Sequence, residues 1–176
     1  MKLSRHTDYA FRIMIHLAVF EGELISIRRI AQAYGISQNH LMKIVQSLGR
    51  AGFIETVRGR YGGLRLARPA PEIAVGAIMR HTEGDSDFVP CGQCLISPAC
   101  GLPCVLGEAM EAFLRVLDGY SLGDIANRPG MLRDLFHGAT APTREYDREG
   151  RSMNDLTHKR LQDISMKREG ARCLTD

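Results

Sequence analysis

No stretch of the 176-residue chain approaches the roughly 18 uninterrupted apolar residues that a membrane span requires. The run from Phe11 to Phe20 is broken by Arg12 and His16. A secretory signal, with its basic start, apolar core and small-residue cleavage site, is also missing, so a soluble, cytoplasmic protein with no membrane partner is expected. Internal repeats are absent. No Ser-His-Asp, paired-carboxylate or phosphate-cradling constellation stands out, and an enzyme is not expected. The glycine-rich stretch at 58–63 lacks the Walker pattern and does not lie between a strand and a helix.

What is present is unevenly charged. The net charge of +3 conceals eleven Lys/Arg against four Asp/Glu in residues 1–70, three against eight in 71–130, and a near balance beyond. The basic third is the part suited to a polyanion. Between Ser26 and Arg68, eight basic residues face the single acid Glu55. The length fits one ordinary domain, or a small domain with an appendage.

The basic third reads as three helices and a hairpin. Thr7 is placed as the cap of the first helix, with Asp8 in its first turn and Phe11, Met14, Ile15 and Ala18 at helical spacing up to Gly22. Ser26 caps a second helix through Ile27, Ile30, Ala31 and Tyr34, stopped by Gly35. Ser37 caps a third, carrying Leu41, Ile44, Val45 and Leu48 and ending by Gly52. Two short helices joined at a glycine form a helix-turn-helix, whose second helix reads the major groove. Near its start stand Gln38, Asn39, His40 and Lys43, side chains able to pair with base edges or phosphate. The competing account is a solvated polar face on a core helix.

Strands at 53–57 and 64–67 around Arg58-Gly-Arg-Tyr-Gly-Gly63 make a basic wing. Arg58, Arg60, Arg65 and Arg68 are its candidate phosphate contacts or minor-groove probes. The candidate DNA-binding set is Arg28, Gln38, Asn39, His40, Lys43, Arg50, Arg58, Arg60 and Tyr61. After Pro69 and Pro71 a short helix is expected over 72–81, followed by an acidic linker at 83–87.

Four of the five cysteines then fall within fourteen residues, as Cys91-x2-Cys94-x5-Cys100-x3-Cys104. Clustered thiols in a reducing compartment read as metal or redox chemistry rather than disulfides. A zinc ribbon wants two Cys-x2-Cys knuckles and only one is present, whereas thiolates on a glycine- and proline-containing loop suit an iron-sulfur cluster. Structural zinc and metal-free thiols are the alternatives. A helix beginning near Pro103 would put Cys100 and Cys104 beside its N-terminus, where the dipole favours anionic sulfur. That helix, of about 17 residues, shows Val105, Ala109, Ala112, Phe113, Val116, Leu117 and Tyr120 on one face. A homodimer interface would cover it, or else the first helix of the same subunit. From Pro142 onward charges alternate and only Met153, Leu156, Leu161 and Ile164 hint at a helix, so a mobile tail with Cys173 as a spare thiol is expected.

The opening Met1-Lys-Leu-Ser-Arg-His-Thr-Asp-Tyr-Ala10, Ile-Ala-Gln-Ala-Tyr-Gly-Ile-Ser at 30–37, the wing, Cys94-Leu-Ile-Ser-Pro-Ala-Cys100 and Ala112-Phe-Leu-Arg-Val-Leu-Asp-Gly-Tyr-Ser-Leu122 together resemble one family over about residues 1–137. It is the family of winged-helix repressors with iron-sulfur clusters that includes NsrR, IscR and RirA, and the cysteine segment is most similar to its nitric-oxide-sensing branch. The resemblance implies a mainly α fold with a small β-hairpin wing, a long dimerisation helix, and a homodimer on double-stranded operator DNA. It implies a 4Fe-4S cluster, with 2Fe-2S as the alternative, held by Cys91, Cys94 and Cys100 and by Asp8 of the partner subunit. Two departures stand out: only two residues separate Cys91 from Cys94 where relatives usually have more, and Cys104 has no counterpart, which makes it an additional candidate ligand.

The implied organisation is a winged helix-turn-helix over 1–71, a cluster loop and dimerisation helix over 72–137, and a flexible tail over 138–176. The expected function is a repressor that releases DNA when its cluster reacts with nitric oxide. A regulator responding to iron or cluster supply is the alternative within the family. An iron-sulfur electron carrier or thiol redox protein is the alternative of another class, and it would need neither the basic wing nor the Gln-Asn-His-Lys face.

Overall fold

A computed structural model describes residues 3–84, 94–96 and 99–140. Helix α1 (Arg5–Val19) is central. Ser4, not Thr7, caps it: the Ser4 hydroxyl accepts from the Thr7 N–H at 3.2 Å, while Thr7 lies inside the helix, fully buried. The serine holds the extended backbone that an N-cap needs, and it stands three residues before the amide it satisfies. The deepest stripe is Ala10, Ile13, Met14 and Leu17, with Phe11, Ile15 and Ala18 packed at its margin. The face is therefore turned by one residue from the expected one. The helix is apolar around much of its circumference because α3 (Gln38–Arg50), α4 (Val75–Glu83), α6 (Leu122–Ile125) and α7 (Pro129–Thr140) pack on it from several sides.

Helices α2 (Ile27–Tyr34) and α3 (Gln38–Arg50) form the helix-turn-helix. The Ser26 hydroxyl accepts from the Arg29 N–H at 3.2 Å, and Gly35 closes α2 with φ +62°, a conformation that costs glycine nothing. Ser37 occupies the cap position of α3 but makes no side-chain capping hydrogen bond. Leu41, Ile44, Val45 and Leu48 are buried, as their spacing requires.

Strands β1 (Ile54–Val57) and β2 (Gly63–Leu66) pair antiparallel, with Ile54 opposite Leu66 and Val57 opposite Gly63. Ile25 joins the pair through two hydrogen bonds with Leu64, at 2.8 and 2.9 Å. A Cβ at Gly63 would press on that Ile25 backbone at 3.0 Å, and one at Gly62 would overlap the Val57 carbonyl. Both glycines are there for close backbone approach.

A 3-10 turn (Ala70–Glu72) precedes α4 (Val75–Glu83), which starts and ends later than the expected 72–81. The reason is a β-bridge between Ala74 and Ser121. The Val75 N–H donates to Tyr120 O at 2.9 Å and the Leu122 N–H to Ile73 O at 2.8 Å, which holds Ile73 and Ala74 out of helix. Helix α5 (Leu102–Asp118), with Pro103 in its first turn, lies against α4. The approach is close at Gly76, where any Cβ would run into the Asp118 carboxylate, and Arg80 donates to Asp118 Oδ1 at 2.7 Å.

Helix α6 (Leu122–Ile125) opens on a capping box in which Ser121 and Asp124 satisfy each other's amides. Helix α7 (Pro129–Thr140) buries Phe136 against α1 and α2. These two elements go beyond the sequence expectation, although Ser121-x-x-Asp124 and Pro129 are the signals that mark them. Residues 138–140, grouped above with the tail, are helical, and 141–176 lie outside the described residues. Among the described residues no helix is long and apolar enough to cross a membrane.

Candidate DNA interface and metal centre

Because its buried stripe faces α1 and α2, α3 presents the opposite side to solvent. Gln38, Asn39, His40, Lys43, Gln46 and Arg50 are all exposed there. Arg28 on α2 and Arg58, Arg60 and Tyr61 at the wing tip are exposed as well, with the Arg60 guanidinium 5.8 Å from the Tyr61 ring. Among the described residues none of Arg28, Lys43, Arg50, Arg58 and Arg60 is in an ion pair. Arg65 differs. It is held across the hairpin by Glu55 at 2.7 Å, directly opposite in register, and so is not the free phosphate contact its sequence position suggested.

Of the thiols, Cys94 and Cys104 are exposed, Cys100 is half-buried, and all three are free. Cys100 stands two residues before α5 and Cys104 lies in its first turn. Cys91 lies outside the described residues. Asp8 is engaged within its own helix: Arg12 Nε donates to Oδ1 at 3.0 Å and Nη2 lies 2.9 Å from Oδ2. Among the described residues no group of three or more His, Cys, Asp or Glu side chains is placed to hold a metal ion. In chemistry the donors suit an iron-sulfur centre, since all three thiols are free and Cys100 and Cys104 flank a helix start.

The last turn of α4, which precedes the cysteine segment in the chain, reaches the head of α1 and the side of α3. Glu83 accepts from the Ser4 N–H at 2.9 Å, and hydrogen bonding from Thr7 first, then Ser4, holds its carboxyl below the usual range. His81 Nε2 lies 2.9 Å from the Ser47 hydroxyl on α3. Neither contact was legible in the sequence, since each joins residues far apart in the chain.

His16 is the other unforeseen group. It is fully buried, and both ring nitrogens lack a hydrogen-bond partner. Phe136 at 4.4 Å, Phe20 at 5.1 Å and Tyr34 at 5.9 Å surround its ring. Burial, with help from Arg29, pushes its pKa down to about 4, so it is neutral near pH 7. Burial likewise raises Tyr34, whose hydroxyl donates to Arg12 O at 3.1 Å.

This helix-turn-helix with a wing belongs to the winged-helix class of DNA-binding folds. Residues 3–128 match the family model described as "Rrf2: Iron-dependent Transcriptional regulator". The chain is 45% identical over 141 residues to the HTH-type transcriptional regulator NsrR of Bacillus licheniformis, covering 77% of this chain and 99% of that protein. Against NsrR of Bacillus subtilis the identity is 48% over 131 residues, covering 71% and 90%. Among solved structures, CymR, the global cysteine regulator of B. subtilis, is similar with a TM-score of 0.61 at 31% identity, covering 72% of this chain and 97% of that one. IscR of T. potens is similar with a TM-score of 0.58 at 30% identity, covering 80% and 93%. The chain belongs to the Rrf2 family of transcriptional regulators.

Proposed function

We propose that the protein is a homodimeric repressor whose hold on double-stranded operator DNA depends on an iron-sulfur cluster and is lost on reaction with nitric oxide. The observation that carries the reading is the row of exposed basic and amide side chains on α3 and the wing, joined through the last turn of α4 to the thiol segment. On this reading residues 1–71 read DNA, 72–137 hold the cluster and the dimer contact, and the tail follows. Arg28, Lys43, Arg50, Arg58 and Arg60 meet phosphate or base edges with no carboxylate to displace, and Gln38, Asn39 and His40 supply hydrogen bonds. The likeness of Cys94-Leu-Ile-Ser-Pro-Ala-Cys100 to the nitric-oxide-sensing branch favours nitric oxide as the signal.

Cys91, Cys94 and Cys100, with Asp8 of the partner subunit, would hold a 4Fe-4S cluster, which when bound supplies iron open to nitric oxide. A carboxylate is a harder donor than thiolate, so Asp8 would be the weakest of the four ligands. Arg12 must then loosen its grip on Asp8. Because Glu83 and His81 tie the root of the cysteine segment to α1 and α3, a change in that segment alters how the reading helix is held. The exposed apolar side chains of α5, Val105 and Val116 among them, supply the surface for a second copy. A regulator of the same build responding to iron supply is the second reading, favoured by the family's description as iron-dependent.

Anaerobic titration with nitric oxide, followed by absorbance and DNA retardation together, tests the proposal. Nitric oxide should weaken wild-type binding by about 5–150-fold, the usual range of allosteric coupling. Cys94→Ala and Cys100→Ala should each lose iron and sulfide, Cys104→Ala much less, and Asp8→Ala should keep a cluster but react differently. Full cluster content in Cys94→Ala would reject the site. DNA affinity that follows iron chelation but ignores nitric oxide would select the iron-responsive reading.

A further inference from the structure

One large apolar side chain lies on the exposed face of α3, at the margin of its polar residues. Met42 is 55% exposed, while the helix buries Leu41, Ile44, Val45 and Leu48 on its other side. Asn39, Met42, Lys43, Gln46 and Arg50 stand at i, i+3, i+4, i+7 and i+11, which on a helix of 3.6 residues per turn is one continuous stripe. Four members of that stripe donate hydrogen bonds or carry charge, and Met42 does neither. A thioether facing water gains nothing from solvent, and its unbranched, flexible chain conforms to whatever apolar group it meets. In the major groove the apolar feature of an ordinary base pair is the C5-methyl of thymine.

We infer that Met42 is a specificity-determining residue that reads a thymine methyl in the operator, at a base pair flanked by those that Asn39 and Lys43 face. The inference rests on α3 being the DNA-reading helix and adds to it an apolar contact that fixes the identity of one pair. Asn39 and Gln46 are suited to adenine edges, and Lys43 to guanine or phosphate. None of them senses the methyl that separates thymine from uracil, so that discrimination falls to Met42. Since 5-methylcytosine displays the same methyl, cytosine methylation serves as a second probe of the same contact.

The test starts by selecting bound duplexes from a random-sequence library with the full-length, anaerobically purified protein. Each thymine of the selected site is then replaced singly by deoxyuridine, which removes only the methyl. Wild type should lose about 4-fold in affinity at one position per half-site, the worth of one methyl withdrawn from water. Met42→Ala should bind the thymine site more weakly and show no further loss with uracil there. Met42→Leu should keep the discrimination. With cytosine at that position, 5-methylation should recover part of the affinity for wild type and none for Met42→Ala. An enriched site at which Met42→Ala responds to every uracil as wild type does would overturn the inference while leaving α3 as the reading helix. Failure of the library to enrich any sequence would overturn both.

Discussion

Helices α1 and α5 are close in length, fifteen and seventeen residues, and both are rich in apolar side chains, yet α1 buries seven residues and α5 buries none. The difference lies in what surrounds them. Around α1 the chain's own α3, α4, α6 and α7 close on several sides, whereas α5 meets α4 along one flank and shows Val105 and Val116, each 62% exposed, on the other. Helical periodicity says that a face needs cover and is silent about which body supplies it. In α1 the cover is intramolecular. In α5, on the reading proposed above, it is a second copy of the chain.

A charge placed on the open flank is the strongest way to break this contrast. Val116→Asp puts an uncompensated carboxylate twice into a two-fold interface, at a cost of about 3–5 kcal/mol for a buried lone charge, and should raise the dimer dissociation constant by roughly a thousandfold or more. Sedimentation should show monomers whose circular dichroism still reports helix. If Val116→Asp remains dimeric, this flank is not the contact.

The next effect lies on the closed side. His16 has its pKa lowered from 6.5 to about 4, so between those values the unfolded chain binds a proton that the folded chain refuses. Stability is therefore unaffected by this group above about pH 6.5 and is lost as the pH drops, the loss reaching about 3 kcal/mol by pH 4. His16→Phe fills the same aromatic slot without the two unpaired nitrogens. Chemical denaturation of both proteins between pH 7 and 4 should show this part of the acid slope vanish in the variant. An unchanged slope would mean that His16 finds a partner or a proton in the folded state.

The smallest effect lies where α4, the helix that flanks both α1 and α5, meets the head of α1. Removing the Glu83 carboxylate in Glu83→Ala takes away the acceptor for the Ser4 N–H at the head of α1, worth about 1 kcal/mol. Amide exchange over residues 4–8 should quicken while that of Ile13 and Leu17 does not. Equal exchange at both ends of α1 would show that the clasp holds nothing.

The local elements were legible because each is set by neighbours in the chain. Ser26 and Gly35 bound α2, and Pro103 marks the start of α5. The wing glycines were legible as a turn, but the close approach of the Ile25 backbone to Gly63 was not. The cap of α1 was misplaced because Ser4 and Thr7 are both good caps on paper, and only packing decides that Thr7 goes inside. Helix α4 shifted because a bridge to Ser121, distant in sequence, overrides local preference at Ile73 and Ala74. The exposed basic residues could be picked out by type, but Arg65 could not be told from Arg60 until the register set it opposite Glu55. Glu83 with Ser4, and His16 with Phe136, carry no sequence signal because no spacing rule links them.

The Ala74–Ser121 bridge has a further consequence for how such a chain can be remade. Its two hydrogen bonds pin the start of α4 to the chain just after α5, so α4 stays packed on α1 and α5 on α4 whatever the length of the segment that links them. Loop closure grows costlier only with the logarithm of length, so a segment inserted between two already adjacent anchors can lengthen or shrink at little expense. Spacing within the cysteine run is thereby free to drift while α6 and α7 keep their places. On the reading proposed above, a differently spaced cysteine segment could be grafted between α4 and α5, leaving Ile78 in the core and the same two hydrogen bonds in place.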